Sequence, residues 1–305
     1  MTGVRFAAAC LLAVSIAAGA LSGIPRASQG MMIGGYRVLS ADFHVHSFPF
    51  SSSTLAPWDT VLEAQRQRLD VIAMTPHNHV WVAKAGRWYS RSVGGPIVLV
   101  GEEIHSVPYH LLAVGIEKTI DWNQPAASAI DEIHHQGGIA VAAHPVAQYW
   151  PAFDANATSR LDGAEVVQPV AWATEEFAEQ LRRFYGSARL TALGNSDFHG
   201  LGRIGACRTW VFARDATEQG VIDAIHAGRT VVYDRGRSYG DPELIKLAAQ
   251  DGRLPRLDPA ALPKGGPVMV SRIAGIAGLL IAFFSLSGAR KEQTAPSGHG
   301  SVKPR

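Results

Sequence analysis

Residues 37–47 read RVLSADFHVHS. The stretch is strand-like, and Asp42, His44 and His46 alternate along it. Successive strand side chains point to opposite faces, so the acid and the two imidazoles are expected on one face. Two imidazoles at i and i+2 can take adjacent positions on one metal ion.

Short apolar runs of the same form follow: DVIAMT (70–75), PIVLVGEEI (96–104), YHLLAVGI (109–116), GIAVAAHP (138–145), DGAEVVQP (162–169), LTALGNSDFH (190–199) and CRTWVFA (207–213). Between them lie helical patterns. The first, 57–70, opens on Pro57 and carries Val61, Leu62, Gln65 and Leu69 on one face. Others cover 125–136, 174–187 and 217–227, the last with Thr217 as N-cap and Gly228 as stop. Strands alternating with helices predict an α/β fold on a parallel sheet, closed as a barrel or open. In such folds the C-terminal strand ends converge on one face, where sites are built. Nearly every run here ends in a candidate ligand. These are His44 and His46, His77 and His79, Glu102 and Glu103, His144, Glu165, and Asp197 with His199, while His110 heads a strand. Asp197 and His199 repeat the i, i+2 device.

The composition narrows the chemistry. A net charge of +2 without a Lys/Arg run argues against nucleic acid as a partner. Cys10 and Cys207 are the only cysteines, which excludes a disulfide framework and a Cys-type zinc site. A metal here must be held by His, Asp and Glu, and the chain has 12 histidines to draw on.

The ends differ from the middle. Residues 6–25 carry no charge and follow Arg5, so 1–30 reads as a signal peptide or signal anchor, with Ala18-Gly19-Ala20 fitting a cleavage site. Residues 273–289 are also uncharged and span about 26 Å as a helix. Extended to 268–289, with Arg272 snorkelling to the interface, they read as a transmembrane helix. A linker is expected at 235–267 and a short basic tail at 290–305, with Arg290, Lys291, Lys303 and Arg305. The positive-inside rule puts both termini in the cytoplasm and the domain at 36–234 outside it, periplasmic or extracellular, tethered to the membrane by its C-terminal helix.

Taken together, DFHVHS (42–47), DVIAMTPHN (70–78), VGEEIHS (100–106), AAHP (142–145) and NSDFHG (195–200) resemble the PHP family, named for polymerase and histidinol phosphatase. The resemblance runs over about residues 38–233 and implies a distorted (β/α)7 barrel with a site for two or three divalent metals (Mn, Zn or Fe). It also implies hydrolysis of a small, anionic ester by a metal-activated water, most often a phosphate ester and in some relatives a carboxylic or carbamic one. Carried over motif by motif, His44, His46, Glu103 and Asp197 should hold the first metal. Glu103 should bridge to a second, completed by His110 and His144, and His77 and His199 should serve a third. Asp42 is expected behind these, orienting a ligand histidine. Glu102 is expected to face away, and Arg203 and Arg208 to clamp the substrate anion.

Two departures fall on one side of the site. The family's Ser-Asp-Gly after His-x-His is here Ser51, Ser52 and Ser53, and its Thr-Asp-His is Thr75-Pro76-His77. They predict a binuclear site with the third position weak or empty. They also keep open a PHP module that binds a ligand without turning it over. His79 and His105 match no ligand position but lie near the pocket, and His134 and His135 are expected on a solvent-facing helix surface. Trp81, Trp88, Tyr89 and Tyr109 are expected in loops at the rim.

Overall fold

The structure, a computed structural model, describes residues 2–24, 26–254 and 265–293. In chain order its elements begin with α1 (Thr2–Ala20), β1 (Met31–Ile33), β2 (Tyr36–Val45), α2 (Pro57–Arg66), β3 (Val71–Met74), α3 (Trp81–Val93), β4 (Ile97–His105), β5 (His110–Val114), α4 (Ala126–His135) and β6 (Ile139–Ala142). They continue with α5 (Ala155–Thr158), β7 (Gly163–Val167), α6 (Glu175–Gly186), β8 (Thr191–Gly194), β9 (Thr209–Ala213), α7 (Glu218–His226), β10 (Thr230–Asp234), β11 (Arg237–Gly240), α8 (Pro242–Asp251) and α9 (Gly266–Gln293).

One mixed sheet runs β11-β10-β9-β2-β3-β4-β5-β6-β7-β8, with β1 beside β2. It curls until its ends nearly meet. Threonine hydroxyls close the gap: Thr209 Oγ1 donates to Gly194 O at 3.0 Å and Thr230 Oγ1 to Ala192 O at 2.8 Å. Beyond β8, His46 N donates to Phe198 O and Phe198 N to His44 O. The result is the expected distorted α/β barrel. Leu39, Ala41, Phe43, Val71, Ala73, Leu99, Leu112, Val141 and Val211 fill its interior, where α7 packs through Val221, Ile222 and Ile225. Ile72, Met74, Val98, Val100, Leu111 and Ala142 form the layer between the strands and the helices outside.

The sheet is less parallel than the apolar runs suggested. β5 is antiparallel to both β4 and β6, and β9 is antiparallel to β2. Only residues 106–109 separate β4 from β5, too few for the crossover that a parallel neighbour needs. Trp81, Trp88 and Tyr89 lie on α3, not in loops. Tyr109 is buried, with its hydroxyl on Gln124 O at 2.8 Å. The expected linker at 235–267 contains β11 and α8, which Asp241 caps by accepting from Glu243 N and Leu244 N. Leu244 and Ala248 pack against Trp210 and Phe212. Residues 255–264 of that linker, and Lys303 and Arg305 of the tail, lie outside the described residues.

His135 is exposed, but His134 is tied down. Asp162, just before β7, accepts from Ala140 N at 2.7 Å and pairs with His134 and His226, each at 2.9 Å. Both histidines sit in the last turn of their helices, where a positive charge is favoured. Burial raises the Asp162 carboxyl, but these bonds outweigh it and bring it down to about 2. A folded-state value below the unfolded one stabilises above about pH 4 and is lost as pH falls toward 2. Asp162→Ala should therefore cost about 2 kcal/mol near neutral pH. Urea titrations at about pH 7 and about pH 3 should show the gap to wild type shrinking in acid; an unchanged gap would make Asp162 a packing residue only.

Candidate metal centre

The first imidazole pair is aimed by an irregularity in β2. Its pairing with β3 shifts between Asp42 and Val45, which inserts one extra residue. Ala41 and Phe43 face the interior and Val45 the outer layer. His44 and His46, opposite Val45, therefore join the interior face, and Asp42 is turned to the other side. There its buried carboxylate accepts from Ser196 N at 3.0 Å, Gly205 N at 2.8 Å and His44 N at 3.3 Å, and from the Ser196 hydroxyl. Burial pushes it up to about 6. Asp42 thus braces backbone instead of orienting an imidazole.

Glu103, near the end of β4, is the hub. One carboxylate oxygen, Oε2, lies 3.3 Å from His44 Nε2, 3.3 Å from His46 Nε2 and 3.1 Å from His77 Nε2. The other, Oε1, lies 2.8 Å from His110 Nδ1 and 3.3 Å from His144 Nε2. His77 reaches it because the 76–78 backbone pairs with β4, Asn78 N donating to Glu103 O and Glu103 N to Pro76 O. Asp197 Oδ1 completes the near side, 3.2 Å from His44 Nε2 and 3.0 Å from His46 Nε2. His199 stacks on His46 with ring centroids 4.0 Å apart. Asp197 and His144 both have positive φ, +50° and +26°. Such backbone is uncommon outside glycine and clusters at functional sites.

The donor atoms form overlapping groups within 4.8 Å: His44, His46 and Asp197; His44, Glu103 and His144; His46, His77 and His199; and His77, Glu103 and His105. Ser52 stands where the family's acid is missing, and it is the preceding Ser51 that reaches His46 and His77. Its hydroxyl is 3.0 Å from His46 Nδ1 and accepts from His77 N at 3.1 Å.

The arrangement fits a cation. His44 Nε2, His46 Nε2, Glu103 Oε1 and Asp197 Oδ1 are buried and crowd polar neighbours at 2.8–3.3 Å, yet none makes a hydrogen bond of good geometry among the described residues. Buried polar atoms without partners are costly unless something else satisfies them. The electrostatics agree. Burial lowers His44, but Asp197, Glu165 and Glu103 raise it well above the usual histidine value. Burial pushes His46 down to about 3. Glu103 would be raised by burial, yet His44, His110 and His144 hold it well below the carboxylate range. Carboxylates and imidazoles alike are thus shifted by one another, and the buried acids favour positive charge beside them.

The two arginines expected to clamp the substrate make other contacts. Arg203 Nε donates to Gln67 Oε1 at 3.2 Å, past the end of α2, and the buried Arg208 donates to Gly205 O at 3.2 Å. Glu102 faces away, as strand alternation requires, but is fully buried. It accepts from Ile120 N at 2.6 Å, and burial pushes it up to about 7.

The PHP-associated family model matches residues 176–230, from α6 into β10. A crystal structure from Bacteroides vulgatus, a two-domain protein containing a predicted PHP-like metal-dependent phosphoesterase, superposes with a TM-score of 0.59 at 23% identity, covering 75% of this chain and 74% of that one. That likeness is one of fold. An uncharacterized protein of Methanocaldococcus jannaschii is 25% identical over 139 residues, 42% of this chain and 81% of the relative. In residues 176–230 and in its fold the chain is PHP-like.

In this PHP-like fold the residues behind the imidazoles were the hardest to foresee. Glu165 of β7 is fully buried, 2.9 Å from His44 Nδ1, and accepts from Asn195 Nδ2 at 2.9 Å and His144 N at 2.6 Å. An acid inside the apolar run GAEVV was its only signal. Gln168 Nε2 donates to Asp197 Oδ2 at 3.0 Å. Tyr149 stacks on His110 at 4.6 Å, with its hydroxyl 3.3 Å from His110 Nε2. Neither stands at a recognisable spacing in the sequence. His105 is exposed beside His77 and His110, with ring centroids 4.4 Å and 4.0 Å away.

Proposed function

We propose that this PHP-like domain is a metal-dependent hydrolase and most simply a phosphoesterase. The observation that carries the proposal is the set of four buried donor atoms on His44, His46, Glu103 and Asp197, which converge without a well-formed hydrogen bond. His44, His46, Glu103 and Asp197 would hold one divalent ion, and Glu103, His110 and His144 a second. His77 and His199 are left for a weak third position. Such ions supply Lewis-acid polarisation of the ester and a water of lowered pKa. The chain's own groups prepare the site. Glu165 accepts a hydrogen bond from His44 Nδ1, which leaves the Nε2 lone pair free for an ion. Gln168 fixes the Asp197 carboxylate, and Tyr149 braces the His110 ring.

A second reading, a hydrolase of carboxylic or carbamic esters, is favoured by Ser51. Its neutral hydroxyl lies between His46 and His77, beside the Ser52 that takes the family acid's place. We also read the domain as lying outside the cytoplasm on a membrane, since α1 and α9 are each long and apolar enough to span one.

Elemental analysis of the purified chain should find about two divalent ions and a clear loss in the His44→Ala, His46→Ala double variant. Chromogenic phosphate and carboxylate esters then separate the two readings. A chain that takes up no metal after reconstitution with Mn, Zn or Fe is not a metallohydrolase.

A further inference from the structure

The sequence leaves the first helix as either a cleaved signal peptide or a retained anchor. Its contacts in the fold distinguish the two. Among the described residues, α1 and α9 lie side by side and antiparallel: Ser15 meets Ser271 and Gly275, while Leu12 and Ala8 meet Gly278. The approach is close enough that a Cβ on Gly275 would sit 2.8 Å from Ser15 Oγ, and one on Gly278 2.9 Å from Leu12. Small residues at such a crossing let two membrane helices pack closely.

The pair is also joined to the barrel by a polar node. Trp58 Nε1, at the start of α2, donates to Ser15 Oγ at 2.6 Å. Ser15 Oγ donates to Ser271 O at 2.6 Å, and Ser271 Oγ to Asp59 Oδ1 at 2.5 Å. Both serines are fully buried. One residue on, Arg272 pairs with Glu63. Higher on α1, Gly19 lies so close to Tyr89 of α3 that a Cβ there would come within 2.6 Å of the phenol oxygen. A helix discarded after export would have no reason to match the mature domain in this way. Cleavage after Ala20 would leave the Trp58 indole N–H without its acceptor and bare the small-residue face of α9.

The outward faces are apolar, with Phe6, Val14, Ile273 and Phe284 each at least half exposed. The apolar windows of 18 and 20 residues correspond to about 27 and 30 Å, and their stretches beyond the polar node, 3–14 and 273–285, to about 18–20 Å of depth for the bilayer.

We infer that α1 is retained and forms, with α9, a two-helix hairpin anchor in the bilayer, fastened to the barrel through Ser15, Trp58, Ser271 and Asp59. The fastening point matters because α2 follows directly on the loop that places Ser51 between His46 and His77. The bilayer as occupant rests on the membrane reading above; the helix pairing does not.

The test uses the full chain, expressed and recovered from the membrane fraction. Intact mass should match the uncleaved 32.6 kDa chain; a mature terminus at Leu21 would overturn the inference. In a background of Cys10→Ala and Cys207→Ala, the pair Ser15→Cys and Ser271→Cys replaces hydroxyls 3.4 Å apart. Mild oxidation should give one disulfide-linked peptide pair by mass spectrometry, and its absence from membrane-bound protein would refute the pairing. A chain ending at Arg253 should still resist alkaline carbonate extraction through α1. If the full chain forms the disulfide yet is extracted as soluble protein, the bilayer is the wrong occupant and the membrane reading falls instead.

Discussion

Glu103→Gln should abolish metal retention and hydrolysis together while leaving the barrel folded. Glutamine keeps the shape of the side chain, so the packing around a residue only 2% exposed is preserved. It loses the charge and one of two equivalent acceptors. No other described side chain has five imidazole nitrogens within 3.3 Å, three on one oxygen and two on the other. Glu103 is therefore the group shared by the two halves of the cluster, and both halves weaken when it changes. Ion content should fall from about two per chain to one or none, and ester hydrolysis by about 10³-fold or more, since Lewis-acid stabilisation contributes several kcal/mol. Circular dichroism should remain that of the wild type. A variant that keeps its full metal content would show that Glu103 is not a ligand and that the imidazoles bind without it.

Glu165→Gln should have a smaller, recoverable effect. Its Oε1 faces His44 Nδ1 at 2.9 Å and its Oε2 accepts from His144 N at 2.6 Å, so one carboxylate holds a histidine from each half of the cluster. A carboxylate partner on one ring nitrogen selects the tautomer that offers the other and makes it more basic. The neutral amide does this less well, and losses of about 10–100-fold in metal affinity are typical for such partners. Equilibrium dialysis should show that shift, with activity restored by excess metal. Activity that stays low at saturating metal would instead give Glu165 a direct role in the reaction.

Much of this centre is legible before any coordinates. The periodicity of two in FHVH predicts that His44 and His46 share a face, and they do, at ring centroids 4.9 Å apart. The strand-end positions of His77, Glu103, His144 and Asp197 are equally readable, because a barrel gathers the ends of its strands whatever fills the loops. Helices such as α7, capped by Thr217, carry their boundaries in local chemistry. Other features depend on contacts that local pattern does not encode. One inserted residue in β2 moves Asp42 off the imidazole face, and a strand-period argument has no means of seeing it. Glu165 lies 121 residues from the imidazole it holds. The hydroxyl of Ser15 finds its partner 256 residues away, in a helix that hydropathy alone reads as an independent span. The sequence by itself determined the donor types, their faces and the strand ends that present them, because side-chain alternation and capping act over a few residues. Only the tertiary structure decided which acid stands behind which histidine and which helix packs on which, because a buried carboxylate or hydroxyl takes its role from the partner that folding brings to it.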